Sequence, residues 1–215
     1  MRLFTVGHSN QSLSQLITLL HNQGVNAIAD VRSIPFSRRL PQFNRPELEA
    51  GLPKQGISYV FLGEELGARR DEPEAYEGLQ ATYERVAKLP AFQRGLERVR
   101  TGVNRGMTLA LLCAERDPLT CHRTILVSRH LLTYGFDVQH IHRDGHLESH
   151  TELEQRMQKA LCRLGVLDTW ESTLQLDLLG NPVSTEFEDN PEKVLDQAYL
   201  EQGKRIAYCK PLIAA

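Results

Sequence analysis

The sequence has no long hydrophobic run and no strong excess of charge of either sign. Its 215 residues include 25 Lys and Arg against 27 Asp and Glu, a formal net charge of -2. No apolar stretch approaches the roughly 20 residues that span a bilayer, and the first ten residues lack the features of a signal peptide. We therefore expect a cytoplasmic protein with no membrane partner and no overall basic field that would attract nucleic acid.

Cysteine is scarce, and several familiar site motifs are missing. The four cysteines, Cys113, Cys121, Cys162 and Cys209, are too few for a disulfide scaffold in a chain of this size. The C-x-x-C redox motif is absent, as are the phosphate-binding loop, G-x-G-x-x-G and G-x-S-x-G. These absences exclude the usual sequence signatures of nucleoside triphosphate, dinucleotide and serine-hydrolase sites.

Short apolar runs alternate with amphipathic stretches along residues 1–164. Buried strands are predicted at 3–6, 25–31, 57–62, 107–112 and 136–141. Helical patterns are predicted after a cap at Asn10 or Ser12 and at 46–52, 75–100 with a break near Pro90, 122–133 and 151–164. Strand–helix–strand order with such connections favours parallel crossovers. We therefore predict an α/β domain with a mostly parallel, Rossmann-like open sheet of about five strands and flanking helices.

The periodicity fades beyond Gly165. Residues 165–215 contain Trp170, a turn at 180–182, acidic residues at 186–189 and a short helical pattern from Pro191 to Leu200. We expect this segment to be a C-terminal appendage that packs on the domain or on a partner.

The stretch from Met107 to Arg123 concentrates reactive side chains just after a predicted strand. Cys121 lies at or before a predicted helix start beside His122 and Arg123, and each of these features stabilises a thiolate. Glu115 is a candidate general acid or base. Cys113, at the strand end, is a candidate for chemistry or for simple core packing.

Other predicted strands also end in polar side chains. His8 and Ser9 follow the first strand, and Asp30, Arg32 and Ser33 end the second. Because the carboxyl ends of parallel strands meet at one sheet edge, we predict the functional site there. The candidate catalytic residues are Cys121, Glu115, His8 and Asp30.

A proline-rich, basic loop at residues 34–46 is a second source of candidates. Guanidinium groups suit phosphate or carboxylate ligands, and the aromatic rings of Phe36 and Phe43 are able to stack on a base. The candidate substrate-binding residues are Ser9, Arg32, Ser33, Ser37, Arg38, His122 and Arg123, with Arg39 as a further loop arginine.

Three interpretations of the chemistry remain open. In the first, the positive helix start binds a phosphate or another anion while Asp30, Glu115 or His8 moves protons. In the second, a metal ion is bound, although C-x7-C-H is not a usual zinc spacing. In the third, Cys113 and Cys121 cycle between dithiol and disulfide. The candidate metal ligands are Cys113, Cys121, His122 and His8.

Four motifs resemble a known family. The segments TVGHSN, ADVRSIPFSRRLPQFN, GISYVFLGEELG and LLCAERDPLTCHR are similar, in this order, to the DUF 488 family, a bacterial and archaeal family of unknown function. The similarity covers about residues 1–141 and leaves out the tail after Gly165. It implies an α/β domain with a shared site and no particular reaction.

These observations favour one function and leave two alternatives. The leading hypothesis is an enzyme that acts on an anionic, phosphorylated or nucleotide-like substrate, either free or within nucleic acid. The first alternative is a non-catalytic metal-binding or ligand-sensing module, and the second is a thiol redox protein using Cys113 and Cys121. No cofactor or oligomeric state is assigned, and a metal ion stays an alternative.

Overall fold

A six-stranded sheet forms the centre of the protein. The computed structural model describes residues 1–167 and 191–211. The sheet order is β3-β2-β6-β1-β7-β8; the first five strands are parallel, and β8 runs antiparallel to β7. These strands are β1 (Arg2–Gly7), β2 (Ala27–Asp30), β3 (Ser58–Phe61), β6 (Leu109–Cys113), β7 (Asp137–Ile141) and β8 (Leu147–Ser149), and a separate hairpin contains β4 (Tyr76–Glu77) and β5 (Gln80–Ala81).

The predicted fold class, an α/β protein with a mostly parallel Rossmann-like sheet, is confirmed. The five predicted strands are present, and the sequence prediction missed only the sixth strand of this sheet, β8. That strand has three half-buried residues after a turn at Gly145, so it lacks an apolar run that would reveal it.

Helices cover both faces of the sheet. Residues of β6 alternate between the two faces: Leu109, Leu111 and Cys113 pack in one core, and Ala110 and Leu112 pack in the other. Both faces of this strand are therefore buried. The helices are α1 (Leu13–Asn22), α2 (Arg45–Gly51), α3 (Gly63–Leu66), α4 (Tyr83–Val86), α5 (Pro90–Asn104), α6 (Arg129–Leu132), α7 (His150–Arg163) and α8 (Pro191–Ile206).

Ser12 caps the first helix. Its hydroxyl accepts from the backbone N–H of Gln15, whose side chain accepts in turn from the N–H of Ser12. This reciprocal capping box satisfies two donors that the helix start leaves open. Of the two predicted caps, the structure therefore selects Ser12 over Asn10.

The prediction of a helical region at 75–100 is wrong in its first part. A 3-10 turn at Pro73–Ala75 leads into the β4–β5 hairpin, and Gly78 provides the positive φ of 59° at its turn. Helix α4 follows, and α5 begins at Pro90, where the predicted break occurs.

The predicted helix at 122–133 is present with a different start. Residues Arg123–Ser128 form π-helical turns, and α6 continues from Arg129 to Leu132. The hydroxyl of Ser128 donates to the carbonyl of Arg123, which belongs to the widened turns. Such π-helical turns often occur at functional sites.

Helix α8 packs against α7 and the π-helical segment. The Tyr199 hydroxyl donates to Glu154 on α7, and the Gln202 amide donates to the Leu119 carbonyl. The helix extends past the predicted end at Leu200 to Ile206. Trp170, the turn at 180–182 and the acidic residues at 186–189 lie outside the described residues. None of the helices in the described ranges is long and apolar enough to cross a membrane.

Candidate functional site

Three central strands bring their carboxyl ends to the same edge. Gly7 of β1 lies beside Cys113 of β6, and Asp30 of β2 lies beside Leu112. After β1 the chain continues to β2 on one side of the sheet. After β6 it crosses β1 to reach β7 on the other side. Ligands of open α/β sheets bind outside such a switch point. The site predicted at this edge therefore has the strand geometry that the prediction assumed.

Four reactive side chains converge beyond β6. We call Cys113, Glu115, Cys121 and His122 the Cys–Glu–His cluster. The thiols of Cys113 and Cys121 both donate to Oε2 of Glu115, at 2.9 and 3.0 Å. Nδ1 of His122 lies 3.7 Å from Sγ of Cys113. One potential ligand atom from each of the four residues lies within 4.8 Å of the others.

The turn after β6 is built to bring the two cysteines together. The Asp117 carboxylate accepts from the N–H of Leu119 and begins a 3-10 turn at Pro118–Thr120. The N–H of Cys121 donates to the carbonyl of Pro118, so the chain returns to the cluster. The prediction that Cys121 lies at or just before a helix start describes this position correctly.

Arg123 supports the turn from inside the protein. Its side chain is 1% exposed, and Nη1 donates to the Glu115 carbonyl at 2.8 Å. Gly7 packs so closely against this turn that an added Cβ would lie 1.8 Å from the Glu115 carbonyl oxygen. The predicted substrate-binding guanidinium of Arg123 is thus engaged with the backbone of the cluster's own turn.

The cluster perturbs the acidities of its members. Burial would raise the pKa of Glu115, but hydrogen bonds from Cys113 and Cys121 lower it to about 2. Burial would likewise raise the pKa of the Cys121 thiol, yet a hydrogen bond from Cys113 and the charge of Arg123 lower it to about 6. The pKa of the Cys113 thiol is raised, by burial first and by its hydrogen bond to Cys121 second. The two thiols therefore differ in their readiness to lose a proton.

His122 is held in one orientation. Its Nε2 lies 2.9 Å from the Val31 carbonyl, which only accepts, so Nε2 carries the proton. Nδ1 consequently faces the thiol of Cys113. Burial would lower the pKa of His122, but its hydrogen bond with Cys121 and the charge of Glu115 raise it.

Exposure differs across the cluster. Cys113, Cys121 and His122 are buried, whereas Glu115 is exposed as a residue although its Oε2 contacts both thiols. Glu115 therefore spans the boundary between the buried sulfur atoms and solvent.

A second group of candidates surrounds Arg32. Asp30 accepts from Arg32 through both carboxylate oxygens, at 2.9 and 2.5 Å, and Tyr59 donates to the same carboxylate. Nη1 of Arg32 lies 3.1 Å from Nε2 of His8, and the His8 ring stacks on Phe43. Because arginine only donates, Nε2 of His8 accepts, and Nδ1 donates to the Ser9 carbonyl. Burial, followed by the Arg32 charge, lowers the pKa of His8.

The proline-rich loop has a mixed role. The Ser37 hydroxyl accepts from the N–H of Leu40 and so holds a turn. Arg38 and Arg39 are exposed, and the described residues provide neither with a hydrogen bond or ion pair. Phe43 is buried, whereas Phe36 is 63% exposed.

A cleft of about 290 Å³ opens onto the cluster. Cys113, Glu115 and His122 contribute to its lining, and Arg32 and Ser33 extend it toward β2. Several lining residues were not predicted from the sequence to belong to the site: Ala68, Arg69, Tyr83, Thr120, Ile206 and Tyr208. Arg69 belongs to a charged glycine-containing loop visible in the sequence, whereas nothing local marks Tyr83 or Tyr208.

The C-terminal segment contributes one wall of this cleft. The N–H of Ala81 donates to the Tyr208 carbonyl, and the N–H of Lys210 donates to the Leu79 carbonyl. The guanidinium of Arg69 lies 4.8 Å from the Tyr208 ring centre. Backbone bonds to the hairpin therefore hold Tyr208 at the cleft.

Fold and site together define a class: an α/β protein with a polar cleft at its sheet switch point and a Cys–Glu–His cluster in that cleft. A family model described as "Domain of unknown function DUF488" matches residues 12–130. The chain belongs to this DUF488 family, which confirms the resemblance noted in its sequence. A comparison with curated proteins and one with solved structures found no match.

Proposed function

We propose that this protein is an enzyme whose substrate is an anionic, phosphorylated or nucleotide-like molecule that reacts at the Cys–Glu–His cluster. The observation that carries this proposal is the cleft itself. It joins the carboxylate of Glu115 and the imidazole of His122 with a cationic side chain, Arg69, in one space. Concave sites with a few convergent polar groups and perturbed acidities are typical of active sites.

The binding side of the cleft suits an anion. Within residues 1–167 and 191–211, Arg69 has no carboxylate partner, and its guanidinium stacks on the ring of Tyr208. The hydroxyl of Ser33 accepts from the backbone of Arg69 and fixes the loop beside it. A guanidinium with free donors is suited to phosphate oxygens, and the rings of Tyr83 and Tyr208 offer planar surfaces.

Arg32 and Arg69 differ in whether a carboxylate balances their charge. The charge of Arg32 is already balanced by Asp30 in a buried ion pair. We therefore assign Asp30 and His8 a positioning role, since both hold Arg32 at the cleft wall. In this proposal Arg69 is the main cationic contact of the substrate, and Glu115 is the group that accepts a proton.

A longer substrate extends the proposal. Arg38, Arg39 and Phe36 lie exposed on the loop that follows β2 and the cleft-lining Arg32 in the chain. A nucleotide within nucleic acid would use these side chains for phosphate contact and base stacking. Arg38→Gln together with Arg39→Gln should then weaken binding of an oligonucleotide more than binding of a mononucleotide.

The test is a binding panel on matched variants. Calorimetry with inorganic phosphate, phosphosugars, nucleoside monophosphates and short oligonucleotides should identify one class that binds the wild type. Arg69→Gln should weaken that binding by about 10-fold or more, because one charge-assisted hydrogen bond contributes about 1.5–3 kcal/mol. Arg105→Gln, a charge change in a different part of the chain, should leave it unchanged.

Two results would contradict the proposal. One is the absence of binding across the whole panel at millimolar concentration. The other is a bound ligand whose affinity is the same in wild type and Arg69→Gln. Binding without turnover of any panel member would favour the ligand-sensing module instead.

A dithiol redox centre is the second candidate, favoured by the two thiols that donate to the same oxygen of Glu115. Oxidation would join Cys113 and Cys121 in a disulfide and pass two electrons and two protons to an oxidising substrate. Mild oxidation by a disulfide reagent should then lower the mass of one peptide pair by about 2 Da. An unchanged mass under conditions that oxidise free thiols would refute it.

The proposal places the protein in a reducing, cytoplasmic environment. No disulfide joins its four cysteines in the described residues, and the two in the cluster must stay reduced for the site described here. Exposure of the purified protein to an oxidising buffer should therefore lower its activity, and a thiol reductant should restore it.

A further inference from the structure

We propose that Cys113, Glu115, Cys121 and His122 together bind one divalent metal ion of the zinc class. This inference rests on the proposed function only for the ion's part in the reaction; the metal site itself stands on the geometry of the cluster. The four residues provide two sulfur atoms, one carboxylate oxygen and one imidazole nitrogen within 4.8 Å of one another. Thiolate, imidazole and carboxylate are the ligands that zinc takes in proteins.

Three distances within the cluster lie at or near those of a tetrahedral ion. Ligand atoms at zinc distances from a shared tetrahedral ion lie about 3.3–3.8 Å apart. Nδ1 of His122 and Sγ of Cys113 are 3.7 Å apart, within this range. The contacts from Oε2 of Glu115 to the two sulfur atoms, 2.9 and 3.0 Å, must lengthen by about 0.6 Å. We expect a rotation of the Glu115 side chain, which reaches solvent, to supply that change.

His122 already has the orientation that a metal ligand needs. Its Nε2 donates to the Val31 carbonyl, which leaves the lone pair of Nδ1 directed at the thiols. Ligating histidines commonly donate their second N–H to a carbonyl or carboxylate in this way. The backbone N–H of Arg123 also donates to Sγ of Cys121, at 3.4 Å, which supports a thiolate there.

Charge balance explains why a guanidinium is buried beside the cluster. Two thiolates and the carboxylate carry three negative charges, and a divalent ion together with Arg123 carries three positive charges. Arg123 is 1% exposed, and its guanidinium donates to the backbone carbonyls of Glu115 and Arg116. A buried charge is costly unless it is compensated. The metal-bound cluster provides an equal and opposite net charge next to it.

The ion also resolves a conflict within the proposed active site. An anionic substrate in the cleft approaches the carboxylate of Glu115, and like charges repel. A bound divalent ion makes the cluster and Arg123 together neutral, and it gives the substrate an electrophilic partner. Glu115 is the one exposed ligand of the four, so it is the ligand that a substrate oxygen would displace.

Elemental mass spectrometry on three proteins tests the inference. Tag-free wild type, Cys121→Ser and the control Cys209→Ser are purified without chelator and dialysed against metal-free buffer. Wild type and Cys209→Ser, which changes an exposed cysteine away from the cluster, should each retain close to one zinc per chain. Cys121→Ser should lose it, with an affinity lower by at least about 100-fold. Equal metal content in wild type and Cys121→Ser would overturn the inference.

A second measurement uses wild-type protein alone, so its result does not depend on whether the Cys121→Ser variant folds. Cobalt(II) is titrated into chelator-treated wild-type protein, and the near-ultraviolet absorption of cobalt–thiolate bonds is recorded. Saturation at one equivalent with a thiolate band supports the site, whereas no binding or a spectrum without this band contradicts it. The substrate panel is scored separately: metal binding without ligand binding would refute the proposed function alone, and ligand binding without metal would refute the metal site alone.

Discussion

Acidification should weaken the fold in part through His150, a buried histidine at the start of α7. Thr5, His140, His150 and Tyr199 form a hydrogen-bonded chain that ends at Glu154. Because Tyr199 donates to Glu154, Nε2 of His150 must donate to Tyr199, and its Nδ1 must accept from His140. A proton on Nδ1 would face the N–H of His140. The chain therefore requires His150 to be neutral.

The size of the effect follows from the acidity of His150. Burial lowers its pKa from 6.5 to about 4, with the charge of Glu148 acting weakly in the opposite direction. The unfolded chain therefore takes up this proton at a higher pH than the folded chain does. Stability is full above pH 6.5 and falls as the pH drops toward 4. The loss reaches about 2 kcal/mol at pH 5 and about 3 kcal/mol below pH 4.

Urea unfolding at pH 7 and pH 5 measures this loss. Wild type should lose about 2 kcal/mol more than His150→Gln between the two values, since all other titrating groups are shared. His21→Gln removes an exposed histidine that bonds to the Gln55 carbonyl, and it should behave as wild type. The reasoning is refuted if His150→Gln and wild type lose the same free energy between pH 7 and pH 5.

Two further predictions concern residues that hold the cluster's turn and the cleft wall in place. Gly7→Ala places a Cβ 1.8 Å from the Glu115 carbonyl oxygen, so we expect a loss of about 1–3 kcal/mol in thermal unfolding and weaker metal retention. Gly51→Ala, whose Cβ would lie 3.9 Å from the nearest atom, is the matched control and should be neutral or slightly stabilising; equal melting temperatures for both variants would contradict this account. Asp30→Ala leaves the buried charge of Arg32 without its carboxylate and should cost about 3–5 kcal/mol in urea unfolding. A loss below about 1 kcal/mol would show that the pair is not buried as described.

The position of the site could be predicted where a buried-strand pattern is followed at once by reactive side chains. The apolar run before Cys113 predicts a buried strand, and the polar residues that follow it predict a site at its end. Parallel packing then places Gly7, Asp30 and Cys113 at one edge without further information. These inferences depend on short-range periodicity and on a general rule for open sheets, and the strand geometry agrees with them.

The far wall of the cleft could not be predicted in the same way. Tyr208 reaches the site through backbone hydrogen bonds to a two-stranded hairpin that itself looked helical in sequence. Such long-range contacts leave no local pattern. For Ser37 the local sequence suggested a role that the structure does not show. A loop hydroxyl beside arginines suggests substrate contact, but the Ser37 hydroxyl accepts from a backbone N–H and holds a turn.

The roles of the arginines depend on burial, which composition does not reveal. Arg32, Arg69 and Arg123 are all near the cleft, yet one is paired with a carboxylate, one stacks on a tyrosine and one bonds to backbone carbonyls. Only Arg69 keeps its charge available at the surface. Arg32 and Arg123 were predicted as site residues from the sequence, whereas Arg69 was not, because its exposure beside Tyr208 depends on long-range contacts.

X-ray absorption at the zinc edge is the most direct test of the Cys–Glu–His cluster as a metal centre. The sample is wild-type protein carrying one equivalent of zinc. We expect a first shell of two sulfur atoms at about 2.3 Å and two nitrogen or oxygen atoms at about 2.0–2.2 Å. A shell of nitrogen and oxygen atoms without sulfur would place the ion elsewhere and contradict the account.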